Sequence, residues 1–284
     1  MAQYGQVQFT LDSERARMLR RRGMGRTLFI GDIHSDFESL EILVRFMLHR
    51  VSGISRVVQV GDFGFWPSQP SWLWYPKSTL PVPVSFIDGN HEDHASLRRA
   101  ASLNSAKISE HYDATYIPRG FVEDGFVYCG GATSYDRAYR TEGLDWFPEE
   151  NITDEEIRRG IRNCEGQRIR IMVAHETIRE AFRLIRRPNW VFADQNRERL
   201  EELFNAARPE IYIHGHYHFS RDYEYLGCRF ICLQNPDHFK HELVQTEELM
   251  RNEGYSTRVV DAFMHVAQRC CAVADIEEGL ISFR

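Results

Sequence analysis

No two cysteines in this chain stand at Cys-x-x-Cys spacing, although six are present: Cys129, Cys164, Cys228, Cys232, Cys270 and Cys271. A chain of 284 residues needs no covalent staples to hold a core, so they read as reduced thiols in a cytoplasmic protein. No apolar run approaches the roughly 18 residues that a membrane span requires. The first residues lack the apolar centre of a secretion signal. Excess positive charge is also missing. The formal net charge is -6, which argues against broad sequence-independent binding to nucleic acid, though a local basic patch is compatible with it. Repeats and low-complexity tracts are absent. What remains is an ordered globular composition, 43% hydrophobic and 27% charged, sized for one large domain or one domain with additions.

The chain is organised around residues 27–34, Thr-Leu-Phe-Ile-Gly-Asp-Ile-His. Four apolar or β-branched residues before a glycine predict a short buried strand over 27–30. Asp32 and His34 follow where strand gives way to loop. At i and i+2, a carboxylate and an imidazole can reach one cation. Asp36 then N-caps a predicted amphipathic helix, with Phe37, Leu40, Leu43, Val44, Met47 and Leu48 at helical spacing. A second strand over 56–60 ends in Gly61-Asp62, and a third over 82–87 runs into Asp88-Gly89-Asn90-His91-Glu92.

A short strand near 115–117 precedes a hairpin that turns tightly at Asp124-Gly125. The capping box Thr153-Asp-Glu-Glu156 opens a helix to about residue 163. The strand over 168–174 stops at His175. Helices follow to about 187, where Pro188 breaks the pattern, and over 195–207. The strand over 209–213 opens into His214-Gly215-His216-Tyr217-His218. A last hairpin turns at Leu226-Gly227 and returns through 229–233, where Cys228 and Cys232 face one side as a core pair.

Four stretches lie outside that pattern. Residues 1–26 read as a basic N-terminal extension whose arginines form a solvated helix face; the alternative is contact with a phosphate-rich partner. The aromatics of 63–83, Trp66, Trp72, Trp74 and Tyr75 among them, read as a local core, with a wall that stacks a flat substrate group as the alternative. Arg137 and Arg140 either bind phosphate or pair with Asp136 and Glu142. Residues 236–284 read as a C-terminal appendage of two helices, over 240–252 and 257–271.

Five predicted strands thus end in Asp32/His34, Asp62, Asn90/His91, His175 and His216/His218. In open α/β sheets, sites gather outside the carboxyl ends of strands. A mixture of carboxylate, amide oxygen and imidazole suits Mn²⁺, Fe or Zn²⁺ better than a thiolate or calcium site. Seven potential ligands exceed what one ion takes from protein while keeping a water, so two ions with one bridging carboxylate fit the count.

Together, Gly31-Asp32-Ile33-His34, Gly61-Asp62, Gly89-Asn90-His91-Glu92, His175 and Gly215-His216-Tyr217-His218 resemble the calcineurin-like metallophosphoesterase superfamily, over roughly residues 27–235. The resemblance implies an α/β fold, a two-sheet β-sandwich flanked by helices in four layers. It implies that Asp32, His34, Asp62 and His218 hold one metal, with Asp62 bridging to a second held by Asn90, His175 and His216. His91 matches the histidine that contacts the phosphoryl group and protonates the leaving oxygen. The expected ions are two divalent cations, Mn²⁺ first, with Fe, Zn²⁺ or Ni²⁺ as alternatives. Two cations about 3.5–4 Å apart clamp the phosphoryl oxygens while a metal-bound hydroxide attacks in line.

The chain departs from the pattern at its second motif. Phosphoprotein phosphatases of the superfamily carry Gly-Asp-x-Val-Asp-Arg-Gly there, whereas this chain reads Gly61-Asp-Phe-Gly-Phe-Trp-Pro67. The aspartate and the phosphate-binding arginine are missing, which counts against phosphoprotein substrates. The expected activity is hydrolysis of small phosphodiesters of the nucleotide or cyclic-nucleotide type. A phosphomonoesterase, a DNA or RNA nuclease, and a non-catalytic scaffold are the rivals. Net charge disfavours nucleic acid as a partner, and no membrane partner is expected.

Overall fold

The computed structural model describes residues 25–67, 80–102, 114–185 and 194–282. The arginine-rich segment before residue 25 and Trp72, Trp74 and Tyr75 lie outside the described residues. In chain order the elements begin with β1 (Arg26–Ile30), α1 (Phe37–Arg50), β2 (Ile54–Gln59), β3 (Val84–Phe86), α2 (His94–Ser102) and β4 (Ala114–Tyr116). Next come the hairpin β5 (Phe121–Glu123) and β6 (Phe126–Cys129), then α3 (Asp154–Cys164), β7 (Ile171–Ala174), α4 (Arg179–Ile185), α5 (Asp194–Ala207) and β8 (Ile211–His214). The chain closes with β9 (Arg221–Tyr225), β10 (Cys228–Cys232), α6 (Lys240–Glu253), α7 (Thr257–Cys270), β11 (Cys271–Asp275) and β12 (Gly279–Leu280).

These strands form two six-stranded sheets, ordered β12-β11-β1-β2-β3-β4 and β5-β6-β7-β8-β10-β9. Strands β1 to β4 run parallel, as do β6, β7, β8 and β10, while the antiparallel partners lie towards the edges. The parallel strands are nearly continuous runs of Val, Ile, Leu and Phe because both of their faces are covered. Phe29, Val58, Ile87, Tyr128, Val173 and Ile213 meet between the sheets. The outer face of the first sheet packs on Leu40 and Phe46 of α1 and on Phe263 and Val266 of α7. That of the second packs on Ile157 of α3 and Leu200 and Leu203 of α5. Helix, sheet, sheet, helix is the expected four-layer sandwich.

Local signals act as read. The Asp36 carboxylate accepts the Ser39 amide and caps α1, and Thr153 and Glu156 close both bonds of the capping box on α3. Leu226 and Gly227 both take positive φ, at 50° and 76°, as a two-residue hairpin turn requires.

One boundary is corrected. Residues 236–284, predicted as a helical appendage, contain the two helices, but the chain then turns into β11. That strand pairs antiparallel with β1 from Thr27↔Ala274 to Ile30↔Cys271. The segment therefore completes the first sheet, and Phe239, Leu243 and Phe263 belong to the core on its outer face. The short run Cys-Ala-Val-Ala-Asp follows α7 without a break, so its apolar residues look like one more helical turn in the sequence.

Candidate metal centre

The parallel strands β1, β2 and β3 of one sheet and β7 and β8 of the other deliver their ends to a single place. Asp32, His34, Asp62 and His218 bring one ligand atom each within 4.8 Å of one another, and so do Asp62, His175 and His216. Asp62 belongs to both groups. All six of these sequence-predicted residues are thus brought together.

His91 joins these residues through Asp62, directly after Asn90 in the chain. The His91 amide donates to Asp62 Oδ1 at 2.7 Å. A Cβ on Gly89 would stand 2.1 Å from the same oxygen, so only glycine lets the β3 loop come this close. Gly61, with φ at 102°, does the same for His175, whose Nδ1 a Cβ would meet at 2.3 Å. His34, Asp62, His216 and His218 themselves adopt positive φ of 44°, 54°, 70° and 54°. Backbone strain of this kind in residues with side chains collects where a site over-determines the chain.

The donor set fits a cation. Asn90 is buried, its Nδ2 donates to Ser134 Oγ at 3.2 Å, and its Oδ1 has no hydrogen-bond partner. An amide oxygen left bare in the interior is costly unless something positive meets it. His175 is fully buried, with Nδ1 on the Val60 carbonyl oxygen at 2.9 Å; its Nε2 makes no hydrogen bond and faces Asp62 Oδ2 at 3.4 Å. A ring whose Nδ1–H is committed to a carbonyl presents its Nε2 lone pair to a metal. His34 Nε2 and His218 Nε2 lie 3.0 Å apart, and His218 Nε2 is 3.3 Å from Asp32 Oδ2.

Electrostatics point the same way. Burial alone would raise Asp62, but His175, His91 and His34 hold its carboxyl well below the usual range. Burial would lower His175, but Asp62 and Asp32 push it up to about 10. Burial lowers the His91 imidazole to about 4, with His34 and Arg140 adding to the effect against Asp62.

Several supports were not legible as functional residues. Glu92 receives the Phe63 amide at 2.7 Å and the Phe65 amide at 2.5 Å, bolting the Asp62 loop in place. Glu176, directly after His175, lies 3.6 Å from His216 Nε2 and 3.5 Å from the buried Arg197, and Tyr217 donates its hydroxyl to it. The Asn90–Ser134 bond continues to Glu150, which accepts from Ser134 Oγ at 2.5 Å. Glu176 and Glu92 had one sequence signal, a carboxylate placed immediately after a candidate site histidine. Asp88 is the opposite case. It too follows a strand end, but Arg119 takes its Oδ2 at 2.9 and 2.6 Å and Tyr116 its Oδ1 at 2.9 Å, so it is a structural ion pair. His94 and His214 are also structural, the first beside Asp88 and the second bonded to the Tyr223 hydroxyl at 2.9 Å.

Arg137 and Arg140 divide. Arg137 pairs with Glu142 at 3.6 Å and covers the Trp146 ring at 3.5 Å. Arg140 pairs with Asp136 at 2.7 Å but also reaches His91. Trp66 packs on the core of the first sheet, in line with the local-core reading.

The family model for calcineurin-like phosphoesterases matches residues 25–220, the span that holds every one of these ligands. The chain belongs to that family, and its Asp/His cluster is a divalent metal centre of a hydrolase class that acts on phosphoester bonds. No curated protein sequence matches it. One crystal structure aligns over 91% of this chain and 99% of its own, at 11% identity and a TM-score of 0.52. A phosphopantetheinyl hydrolase from Mycobacterium tuberculosis aligns over 76% and 92%, at 13% identity and a TM-score of 0.43. The TT1561 protein of Thermus thermophilus does so over 74% and 89%, at 12% and 0.44. At these identities the likeness concerns the fold. Among the described residues, no helix is long and apolar enough to cross a membrane.

Proposed function

We propose that this protein is a dinuclear phosphodiesterase acting on small phosphodiesters of the nucleotide or cyclic-nucleotide type. The observation that carries the reading is the membership of Asp62 in both ligand groups. One carboxylate common to two clusters of histidine and aspartate is what a bridged pair of cations requires. Asp32, His34, Asp62 and His218 would hold one ion, and Asp62, Asn90, His175 and His216 the other. The hard and borderline donors favour Mn²⁺, with Fe, Zn²⁺ or Ni²⁺ as alternatives. When bound, such a pair neutralises the phosphoryl oxygens and lowers the pKa of water to about 7.

The protein's own residues supply orientation and proton traffic. His91 stands edge-on to His34 with ring centroids 4.9 Å apart, beside the ligands without being one of them. Burial keeps its imidazole neutral at pH 7, so it has one ring N–H to offer an oxygen that departs with growing negative charge. The second motif brings no positive side chain to the centre between Gly61 and Pro67. That supports a monoanionic diester over a dianionic phosphomonoester. Six buried free thiols support a reducing, cytoplasmic setting.

The test is a substrate panel with Mn²⁺-loaded protein: bis(4-nitrophenyl) phosphate, cyclic nucleotides, 4-nitrophenyl phosphate, a phosphopeptide and DNA. Diesters and cyclic nucleotides are expected to turn over fastest. Efficient phosphopeptide dephosphorylation with no diester cleavage would overturn the substrate class, and preference for DNA would replace it with a nuclease.

A further inference from the structure

Arg140 comes from the loop between β6 and α3 and turns back onto the metal centre. Its side chain is only 8% exposed. Its Nη2 lies 2.6 Å from His91 Nε2 and 2.8 Å from His91 Nδ1, and because a guanidinium only donates, whichever ring nitrogen carries the lone pair is the acceptor. The loop that delivers it is stiffened from within. The amides of Leu144, Asp145 and Trp146 all donate to the Thr141 carbonyl, and the Arg140 Nη1 donates to the Asp145 carbonyl at 3.2 Å.

A guanidinium is a fork of five N–H donors matched to two oxygens of one anion, and a single imidazole nitrogen does not fill that fork. Its carboxylate partner is Asp136, at 2.7 Å but 51% exposed. An ion pair open to water on one side holds weakly, so an incoming anion displaces it at small cost. A phosphoryl oxygen bound on the His34–His91 side of the centre would stand beside this guanidinium. Arg137, engaged by Trp146 and Glu142, does not face His91 in this way.

We propose that Arg140 binds a nonbridging phosphoryl oxygen of the substrate, and that Asp136 is the internal carboxylate exchanged for it. The identity of the anion rests on the phosphoesterase reading; the binding measurement below does not need turnover. Inorganic phosphate is titrated by calorimetry into the Mn²⁺-loaded protein, with metal content measured alongside. For Arg140→Ala, phosphate affinity is expected to fall about ten- to a hundredfold, the usual loss for a charge-assisted bond, with bound metal unchanged. Added guanidinium chloride is expected to restore part of the binding, which a merely structural role would not allow. Asp136→Asn is expected to tighten phosphate severalfold by freeing the cation. Unchanged phosphate affinity in Arg140→Ala, or its loss together with metal and without rescue, overturns the proposal. Should Arg140→Ala fail to fold, Asp136→Asn decides alone, and weaker or unchanged binding there overturns it. Arg140-dependent phosphate binding in a protein that cleaves no phosphoester would leave this inference standing and defeat the proposed function.

Discussion

The two halves of the metal centre meet water differently. Asp62, His175 and His216 are all buried, and behind them stand Glu176 and Arg197, both fully enclosed. The other half opens outward through His34 and His218, whose side chains are 20% and 46% exposed. Both clusters are built from aspartate and histidine, so the difference in exposure comes from position. The buried half stands against β7, β8 and α5, whereas His34 and His218 lie in loops beyond the strand ends. On the two-cation reading, a cation in the buried half would lose its water and gain fixed, low-dielectric partners. One in the open half keeps solvent as a competitor and an exit. The first is expected to be the resident ion and the second the exchangeable one.

The strongest way to break this contrast is to remove what the halves share. Asp62→Asn is expected to cost at least about a hundredfold in turnover, because outer-shell changes alone cost about 10–100-fold, and to reduce metal at both positions by mass spectrometry. Loss at only one position would mean that Asp62 does not bridge. Next in size is the pair His175→Ala and His218→Ala. The first is expected to lose the slowly dissociating ion and much of the thermal stabilisation that metal provides. The second should retain that ion and lose the one a chelator strips quickly. If wild-type protein releases both ions in a single phase, the two halves are equivalent.

Glu176→Gln sharpens the comparison without touching a ligand. It is expected to weaken metal at the buried half by about 10–100-fold and leave the open half as it was. The smallest effect is on pH. Metal-free His175, raised to about 10, carries a proton at pH 7 that a cation must expel. Apparent affinity at the buried half should therefore rise about tenfold per pH unit from 7 towards 10. Calorimetry in buffers of different ionisation enthalpy should count about one proton released. No buffer dependence would sink that assignment.

Much of the centre was legible in the sequence because four of the candidate ligands follow a shared local signal. Apolar residues mark a strand, a glycine marks the turn, and the ligand stands next to it, at Gly31-Asp32, Gly61-Asp62, Gly89-Asn90 and Gly215-His216. What was not legible depends on long-range contact. Asp88 also stands at a strand end beside a glycine, and only the arrival of Arg119 commits it to an ion pair. The direction Arg140 faces is set by its loop folding on Thr141, which spacing does not encode. β11 escaped because four small apolar residues and an aspartate after a helix have no period of their own until β1 supplies the partner.

That partner strand has a consequence for biosynthesis. β1 is synthesised well before residues 271–275, which cover one of its two edges. Until then the strand that carries Asp32 presents open amides and carbonyls, the kind of edge on which nascent chains join one another. Translation that stops near residue 270 would therefore yield a polypeptide with every candidate ligand and an unsealed sheet edge open to other chains.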